Sequence, residues 1–236
     1  MCKIVDFHSH ILPGIDDGSP SVEASIEMLR MEARQGIRHV VATPHFYANH
    51  DSPARFLARR NEAEARLREA MEAVPDLPTI SIGAEVHFFS GISESDILSE
   101  LTIDKKSSML LEMPHTPWTE KMYREMEEIY IRQGITPIIA HVDRYIRPLK
   151  TYGIPKRLEA LPVLVQANAN FFLRTSTRGM ALKMLKANRI HLLGSDCHNL
   201  TTRQPNLGPA VQRIEQSLGS NWIEQISACQ DMILFD

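Results

Sequence analysis

Seven short apolar, β-branched runs punctuate the 236-residue chain, and their spacing restricts the fold more than any other feature. They are KIVDFHSH (3–10), IRHVVATPH (37–45), TISIGAEV (79–86), SMLLEMP (108–114), ITPIIAH (135–141), PVLVQANA (162–169) and RIHLLGSD (189–196). From the fourth run onward the centres, near Leu110, Ile138, Leu164 and Leu192, recur every 26 to 28 residues. That interval fits one strand, one helix and two short loops, the repeating unit of a parallel α/β sheet. Seven strands with a helix after nearly every one are too many for a small flavodoxin-like sheet. The expectation is a barrel one strand short of eight, or an open doubly wound sheet.

Helix signals fill the gaps. Ser19-Pro20 and Thr116-Pro117 read as N-caps followed by Pro at the first helical position. Gly36 and Gly134, each after Arg-Gln, read as left-handed C-caps. Met122, Met126 and Ile129 give the second of these helices an apolar stripe that reads as core packing. Residues 55–72 read as a solvated helix laced with i,i+4 charge pairs. No linker or low-complexity tract interrupts the chain, so a single domain over residues 1–236 is expected.

Charge and cysteine content narrow the function. Lys and Arg number 26 against 29 Asp and Glu, a formal charge of −3, which gives no general basic field for nucleic acid or anionic membrane. No apolar run approaches the roughly 18 residues of a spanning helix, and MCKIVDFHSH does not read as a signal peptide. A cytoplasmic location without membrane insertion is expected. Three widely spaced cysteines argue against a disulfide framework.

The runs end in chemistry rather than in ordinary turn residues. They terminate in His8-Ser-His10, Thr43-Pro44-His45, Gly83-Ala84-Glu85, Glu112, His141 and Asp196-Cys-His198. Parallel α/β folds bind ligands at the carboxyl ends of their strands, so six runs deliver imidazole or carboxylate to one rim. Alternation puts His8 and His10 on one side together with Asp6, turns Val5 and Phe7 toward the helices, and pairs Asp196 with His198 while Cys197 points away. Imidazoles and carboxylates without thiolates suit Zn, Mn or Fe. Nine candidates (His8, His10, Asp17, His45, Glu85, Glu112, His141, Asp196, His198) are too many for one ion, and Asp16 competes with Asp17 as the ligand in its loop. The four carboxylates carry −4; two divalent ions would leave a neutral centre and three about +2, which matches a phosphomonoester of about −1.5 to −2.

His39 and His191 lie near the opposite strand ends and read as structural. His50, His87 and His115 lie close to the rim, and the polar segment 46–52 is the candidate lid.

These residues resemble the polymerase-and-histidinol-phosphatase (PHP) superfamily. The segments DFHSHILPGIDDG, TPH, GAE, LLEMP, AHVDRY and SDCHNLTTR, from residue 6 to residue 203, are most similar to the bacterial PHP-type protein-tyrosine phosphatases of capsule and exopolysaccharide operons. The resemblance implies a distorted TIM-like (β/α)7 barrel with three divalent ions, Mn2+ foremost and Fe, Zn or Co acceptable. It implies one metal on His8, His10, Glu85 and Asp196, a second on Glu85, Glu112 and His141, and a third on Asp17, His45 and His198. It further implies that Arg144 and Arg203 grip the phosphate, bidentate guanidinium contacts being suited to phosphoryl oxygens. The implied substrate is a phosphotyrosine-bearing protein, the tail of a cognate bacterial tyrosine kinase, hydrolysed by in-line attack of a metal-activated water. Asp143 stands where relatives carry Glu.

Five rivals are weaker. Cys197 and Arg203 bracket five residues, the spacing of cysteine-nucleophile phosphatases, but HNLTT lacks glycine and Asp196 should raise the thiol pKa. An amidohydrolase often needs a bridging lysine at a strand end, and none of the seven ends has one. A TatD-like nuclease wants a basic groove. A PHP phosphatase acting on histidinol phosphate is the nearest alternative, against which Glu112 stands in place of a histidine. A catalytically silent regulator would leave Arg144 and Arg203 without a purpose.

Overall fold

A computed structural model describes residues 4–146 and 153–235. Cys2 lies outside this range. Among the described residues nine strands form two sheets: β1 (Val5–Ser9), β2 (His39–Ala42) and β4 (Thr79–Ile82) in one, in the order β1-β2-β4. A curled six-strand sheet holds β3 (His45–Phe46), β5 (Glu85–His87), β6 (Ser108–Glu112), β7 (Thr136–Ile139), β8 (Leu164–Asn168) and β9 (Leu192–Gly194) in that order. All pairings are parallel, as the 26-to-28-residue interval requires. The ends of the two sheets also meet, because Asp196 N donates to His8 O (2.8 Å) and His10 N to Cys197 O (2.9 Å).

The second and third apolar runs each break in two, and the breaks lie at Thr43-Pro44 and Gly83-Ala84. Pro44 has no N–H to give the ladder. The chain nevertheless stays in register across the break, with Gly83 N on Ala42 O (2.9 Å) and Glu85 N on Pro44 O (3.0 Å). The kinked ends become β3 and β5, whose register sets His45 beside Glu85; the next pairing sets His87 beside Glu112.

The helices are α1 (Val22–Arg34), α2 (Pro53–Glu72), α3 (Leu98–Leu101), α4 (Glu120–Gln133) and α5 (Asp143–Ile146) in the first part of the chain. Then follow α6 (Ile154–Leu158), α7 (Ala169–Leu173), α8 (Thr175–Lys186), α9 (Leu207–Leu218) and α10 (Asn221–Phe235). Two helix starts differ from expectation. The N-caps are Ser21 and Thr119, whose hydroxyls accept from Ala24 N and Met122 N, rather than Ser19 and Thr116. The Ser19 hydroxyl instead donates to Ser21 O, a local bond that competes with capping. Gly134 is the left-handed C-cap of α4, and Met126 and Ile129 are fully buried.

Helix α2 is not a merely solvated face. Arg60 is buried and donates to Gly83 O (3.2 Å) and Glu100 O (3.0 Å), while Arg59, Arg66 and Arg68 donate to the carbonyls of Ile15, Pro13 and Ile80. Its arginines reach along aliphatic stems to satisfy backbone carbonyls of the loop after β1, of β4, of the break between β4 and β5, and of α3.

Two apolar layers result. The larger lies between strands and helices and contains Val40, Met109, Leu111, Ile139 and Leu193. The smaller collects Val5, Phe7, Val41, Leu110, Ile138 and Leu192, with Ile233 and Leu234 from α10. Val5 and Phe7 therefore face away from the helical layer, opposite to the expectation from simple alternation. A register shift in β1 between Asp6 and Ser9 is the cause, since a bulge breaks the two-residue period. Asp6 is turned instead toward Glu32 of α1 and Cys197.

Candidate metal centre

Every strand-end residue singled out from the sequence reaches one cluster, and Glu85 is its hub. Glu85 Oε2 lies 3.2 Å from His8 Nε2, 3.3 Å from His10 Nε2 and 3.0 Å from His45 Nδ1, while Oε1 lies 2.8 Å from His141 Nε2. Glu112 Oε1 is 3.6 Å from His141 Nε2. Asp196 Oδ1 is 3.6 Å from His8 Nε2 and 3.7 Å from His10 Nε2. Asp17 Oδ1 stands 3.5 Å from both His45 Nε2 and His198 Nε2.

Seven of the nine expected ligands fall into three overlapping groups, within each of which the donor atoms lie no more than 4.8 Å apart: His10, Asp17, His45 and His198; His8, His10 and Glu85; and His45, Glu85 and Glu112; His141 and Asp196 fall in none of them. This partition shares His10 and His45 among groups in a way the sequence expectation does not. Asp17 is the most open member at 64% side-chain exposure. Its neighbour Asp16 does different work. Its Oδ2 pairs with His10 Nδ1 (2.8 Å) and accepts from His45 N (3.0 Å), and its Oδ1 accepts from Gly18 N (2.9 Å). A carboxylate behind a ligand histidine fixes the ring and its tautomer.

The electrostatics describe a centre that balances itself with protons. Burial lowers the pKa of His10, but bonds and charge from Asp16 and Glu85 outweigh it and push it up to about 10. Burial is likewise overcome for His141 by Glu112 and Glu85, which raise it to about 9. Burial pushes Glu85 up, yet the charge on His8, the bond from His141 and the close rings of His10 and His45 hold it well below the usual carboxylate range. Glu112 falls to about 2 despite burial because His141 and His87 donate to it. His198 drops to about 4 through burial and the nearby positive charge of His10.

Whether the residues suit metal ions rests on donors left over. Glu85 Oε2, His45 Nδ1 and His198 Nε2 are buried and have no hydrogen-bond partner among the described residues. Each nonetheless lies 3.0 to 3.5 Å from another ligand-type atom. Buried polar atoms are rarely left so, and an all-nitrogen-and-oxygen set without thiolate accepts Mn, Fe, Zn or Co. Two further members of the cluster, His141 (φ 30°) and Asp196 (φ 55°), hold left-handed backbone, which costs energy in a non-glycine residue and persists where the surroundings over-determine it.

Both arginines expected to grip phosphate sit on Asp196: Arg144 pairs with Oδ2 and Arg203 Nη2 lies 2.7 Å from Oδ1. Arg203 Nη1 also stands 3.7 Å from Asp17 Oδ2. Of the bystanders, His39 bonds Thr79 and Ser81 and His191 accepts from Val165 N, both remote from the cluster. His87 Nδ1 lies 3.0 Å from Glu112 Oε2.

Cys197 is fully buried and its thiol pKa is pushed well up by burial and by the charges of Asp6 and Glu32, so it is no nucleophile.

Gln166 and Asn168 were missed from the sequence. Gln166 Oε1 accepts from His141 N (2.6 Å) and lies 3.4 Å from His8 Nδ1, and Asn168 Nδ2 donates to Asp196 Oδ2 (2.9 Å). The signal was available: the two occur two apart at the end of the sixth run, QAN, but amides are uncharged and do not titrate, so they stood out less than the imidazoles and carboxylates.

The α/β frame thus carries a His/Asp/Glu cluster at its strand ends. Structural similarity supports the fold: an aminohydrolase from Burkholderia multivorans, N-isopropylammelide isopropylaminohydrolase, superposes with a TM-score of 0.53 at 13% identity, over 96% of this chain and 72% of that one. The model of the family described as capsular polysaccharide synthesis, CpsB/CapC, matches residues 4–235, and the chain is a member of that family. It is 29% identical to the tyrosine-protein phosphatase YwqE of Bacillus subtilis, over 98% of this chain and 91% of the relative. It is 26% identical to the tyrosine-protein phosphatase CpsB of Streptococcus agalactiae, over 94% of each. A crystal structure from work on YwqE and Streptococcus pneumoniae CpsB, described as metal-dependent tyrosine phosphatases, superposes with a TM-score of 0.82 at 24% identity, over 98% and 94% of the two chains.

Proposed function

We propose that this chain is a metal-dependent protein-tyrosine phosphatase, one domain over residues 1–236 folded as a distorted (β/α)7 barrel that holds three divalent ions, with Mn2+ favoured. His8, His10, Glu85 and Asp196 would hold one ion, Glu85, Glu112 and His141 a second, and Asp17, His45 and His198 the third. The observation that carries the reading is four histidines converging on the buried Glu85, with two arginines on the adjacent Asp196. The names of the relatives speak for phosphotyrosine rather than histidinol phosphate. The substrate protein is a cognate tyrosine kinase of capsule or exopolysaccharide synthesis, met in the cytoplasm. Among the described residues no helix is long and apolar enough to cross a membrane.

When bound, divalent ions activate a water and offset phosphoryl charge. The chain's own residues do the rest. Asp16 holds the Nδ1 side of His10 and leaves Nε2 facing Glu85. Gln166 and Asn168 steady His8, His141 and Asp196 from behind, the outer-layer support on which metal sites depend. Arg144 and Arg203 supply the fixed positive charge that binds phosphoryl oxygens and stabilises charge developing on them. The bond broken joins phosphorus to the phenolic oxygen; a phenol of pKa about 10 leaves with less help from an acid than an alkoxide needs.

The test is hydrolysis of a phosphotyrosine peptide, its phosphoserine counterpart and histidinol phosphate, each with Mn2+ or with chelator. Release from the tyrosine peptide that vanishes with chelator is expected, and Cys197→Ser should retain it. No metal-dependent release from that peptide would overturn the proposal.

A further inference from the structure

Three openings surround the centre, and they differ in chemistry. One of about 430 Å³ is walled by Asp143, Arg144, Asn168, Arg174 and Arg203. Another of about 470 Å³ is walled by Asp16, Asp17, Asp51, Arg55 and Arg59. The third, about 210 Å³, is mainly aromatic: Tyr47, His50, His87, Phe88 and Phe89 line it, beside Asn49.

The third opening is built by the same strand register that builds the centre. His45 pairs with Glu85 and Phe46 with Val86, so the residues next along, Tyr47 and His87, face each other at the rim with ring centroids 5.3 Å apart. Phe88 N donates to Glu112 O (2.8 Å), which ties the Phe88-Phe89 segment to the end of β6. The slot therefore adjoins the ligand-type residues at two points. Tyr47 lies 5.2 Å from the His45 ring, and His87 Nδ1 lies 3.0 Å from Glu112 Oε2.

Size and chemistry select the occupant. An apolar cavity of about 150 Å³ admits a benzene ring, so about 210 Å³ has room for one phenyl group. In an aryl phosphate the ring is one oxygen away from phosphorus, so it must lie beside whatever holds the phosphoryl group. The two larger openings carry carboxylates and guanidinium groups, and the one of about 470 Å³ shares Tyr47 and His50 with this slot; the slot adds Phe88 and Phe89 in place of those charges, ring faces and edges that attract another ring in stacked or edge-on contact.

We propose that Tyr47, Phe88 and Phe89 form the slot for the phenyl ring of phosphotyrosine and set the preference for aryl over alkyl phosphate esters. The proposal rests on the phosphatase reading above and assigns its specificity to residues outside the metal and arginine set.

The test uses the full chain loaded with Mn2+. Rates are measured on a phosphotyrosine peptide and its phosphoserine counterpart, together with inhibition by phenylphosphonate and methylphosphonate. In Tyr47→Ala and in Phe89→Ala the preference for aryl over alkyl compounds should fall about tenfold, mainly through KM and the phenylphosphonate inhibition constant. Tyr47→Phe, which keeps the ring, should hold the aryl-over-alkyl preference within about twofold of its wild-type value. Phe89→Ala lies on a different segment and carries the test if Tyr47→Ala fails to fold. An unchanged preference in both alanine variants, or an equal loss for aryl and alkyl compounds, overturns the slot while leaving the phosphatase reading intact. A wild-type protein inactive on the phosphotyrosine peptide overturns both.

Discussion

Replacing Gly18 with alanine tests how the loop after β1 is held against the centre. An added Cβ would lie 2.4 Å from both the carbonyl oxygen and the Cβ of His10, and 2.9 Å from Asp16 Oδ1. Ordinary contact begins at 3.4 Å, so the two segments must separate by about 1 Å. His10 is pinned between neighbours by its bond to Cys197 O, which leaves the loop to move. The movement strains Ser19 N to His10 O (2.9 Å) and Asp16 to His10 Nδ1 (2.8 Å), and it carries Asp17 away from His45 and His198. Overpacking costs about 1–3 kcal/mol and a weakened hydrogen bond about 1 kcal/mol, so a loss of about 2–4 kcal/mol is expected. Urea unfolding of the metal-free protein measures it. A 1 Å displacement at a reacting site costs about 100-fold in rate, so phosphotyrosine hydrolysis should fall by about that factor with Mn2+ present. Gly36→Ala is the control: its φ of +85° strains alanine, but nothing lies within 4 Å, so about 1 kcal/mol is lost and activity stays. Equal stability losses in the two variants, or full activity in Gly18→Ala, would refute the close-approach argument.

Three further outcomes are expected. Stability contributed by His10 and His141 in the metal-free protein is fully present below the ordinary histidine pKa of 6.5 and is lost as pH rises through about 9 and about 10; a metal-free midpoint that does not fall between pH 7 and 10 would count against this. Added Mn2+ should displace these protons, which calorimetry in buffers of different ionisation enthalpy detects. Arg60→Met should lower stability by about 2–4 kcal/mol, because two charge-assisted bonds to Gly83 O and Glu100 O are lost from a buried site. A shift under 0.5 kcal/mol in denaturant unfolding would show that Arg60 is not an anchor.

The parallel α/β frame and the identity of the cluster were legible in the sequence because both are local. A strand's apolar run and the residue that ends it are neighbours in the chain, and parallel strands must deliver their ends to the same side. Glu85, His141 and Asp196 could therefore be brought to one rim without knowing any distance. Alternation within a strand is legible only while the strand is regular. The shift between Asp6 and Ser9 inverted the assignment of Val5, Asp6 and Phe7, and no residue type in that stretch announces a bulge.

What tertiary structure decided is contact between segments far apart in sequence. It set Asp16 behind His10 and Asp17 in front of His45 and His198, two adjacent residues of one type that composition cannot distinguish. It placed the amides of Gln166 and Asn168 under the ligands and seated both Arg144 and Arg203 on Asp196. It also turned the charged helix α2 into a set of anchors for backbone carbonyls. The sequence by itself determined which groups stand at the strand ends, since side-chain chemistry and strand order are written residue by residue. Their partners depend on packing distances between elements, and those exist only once the chain has closed on itself.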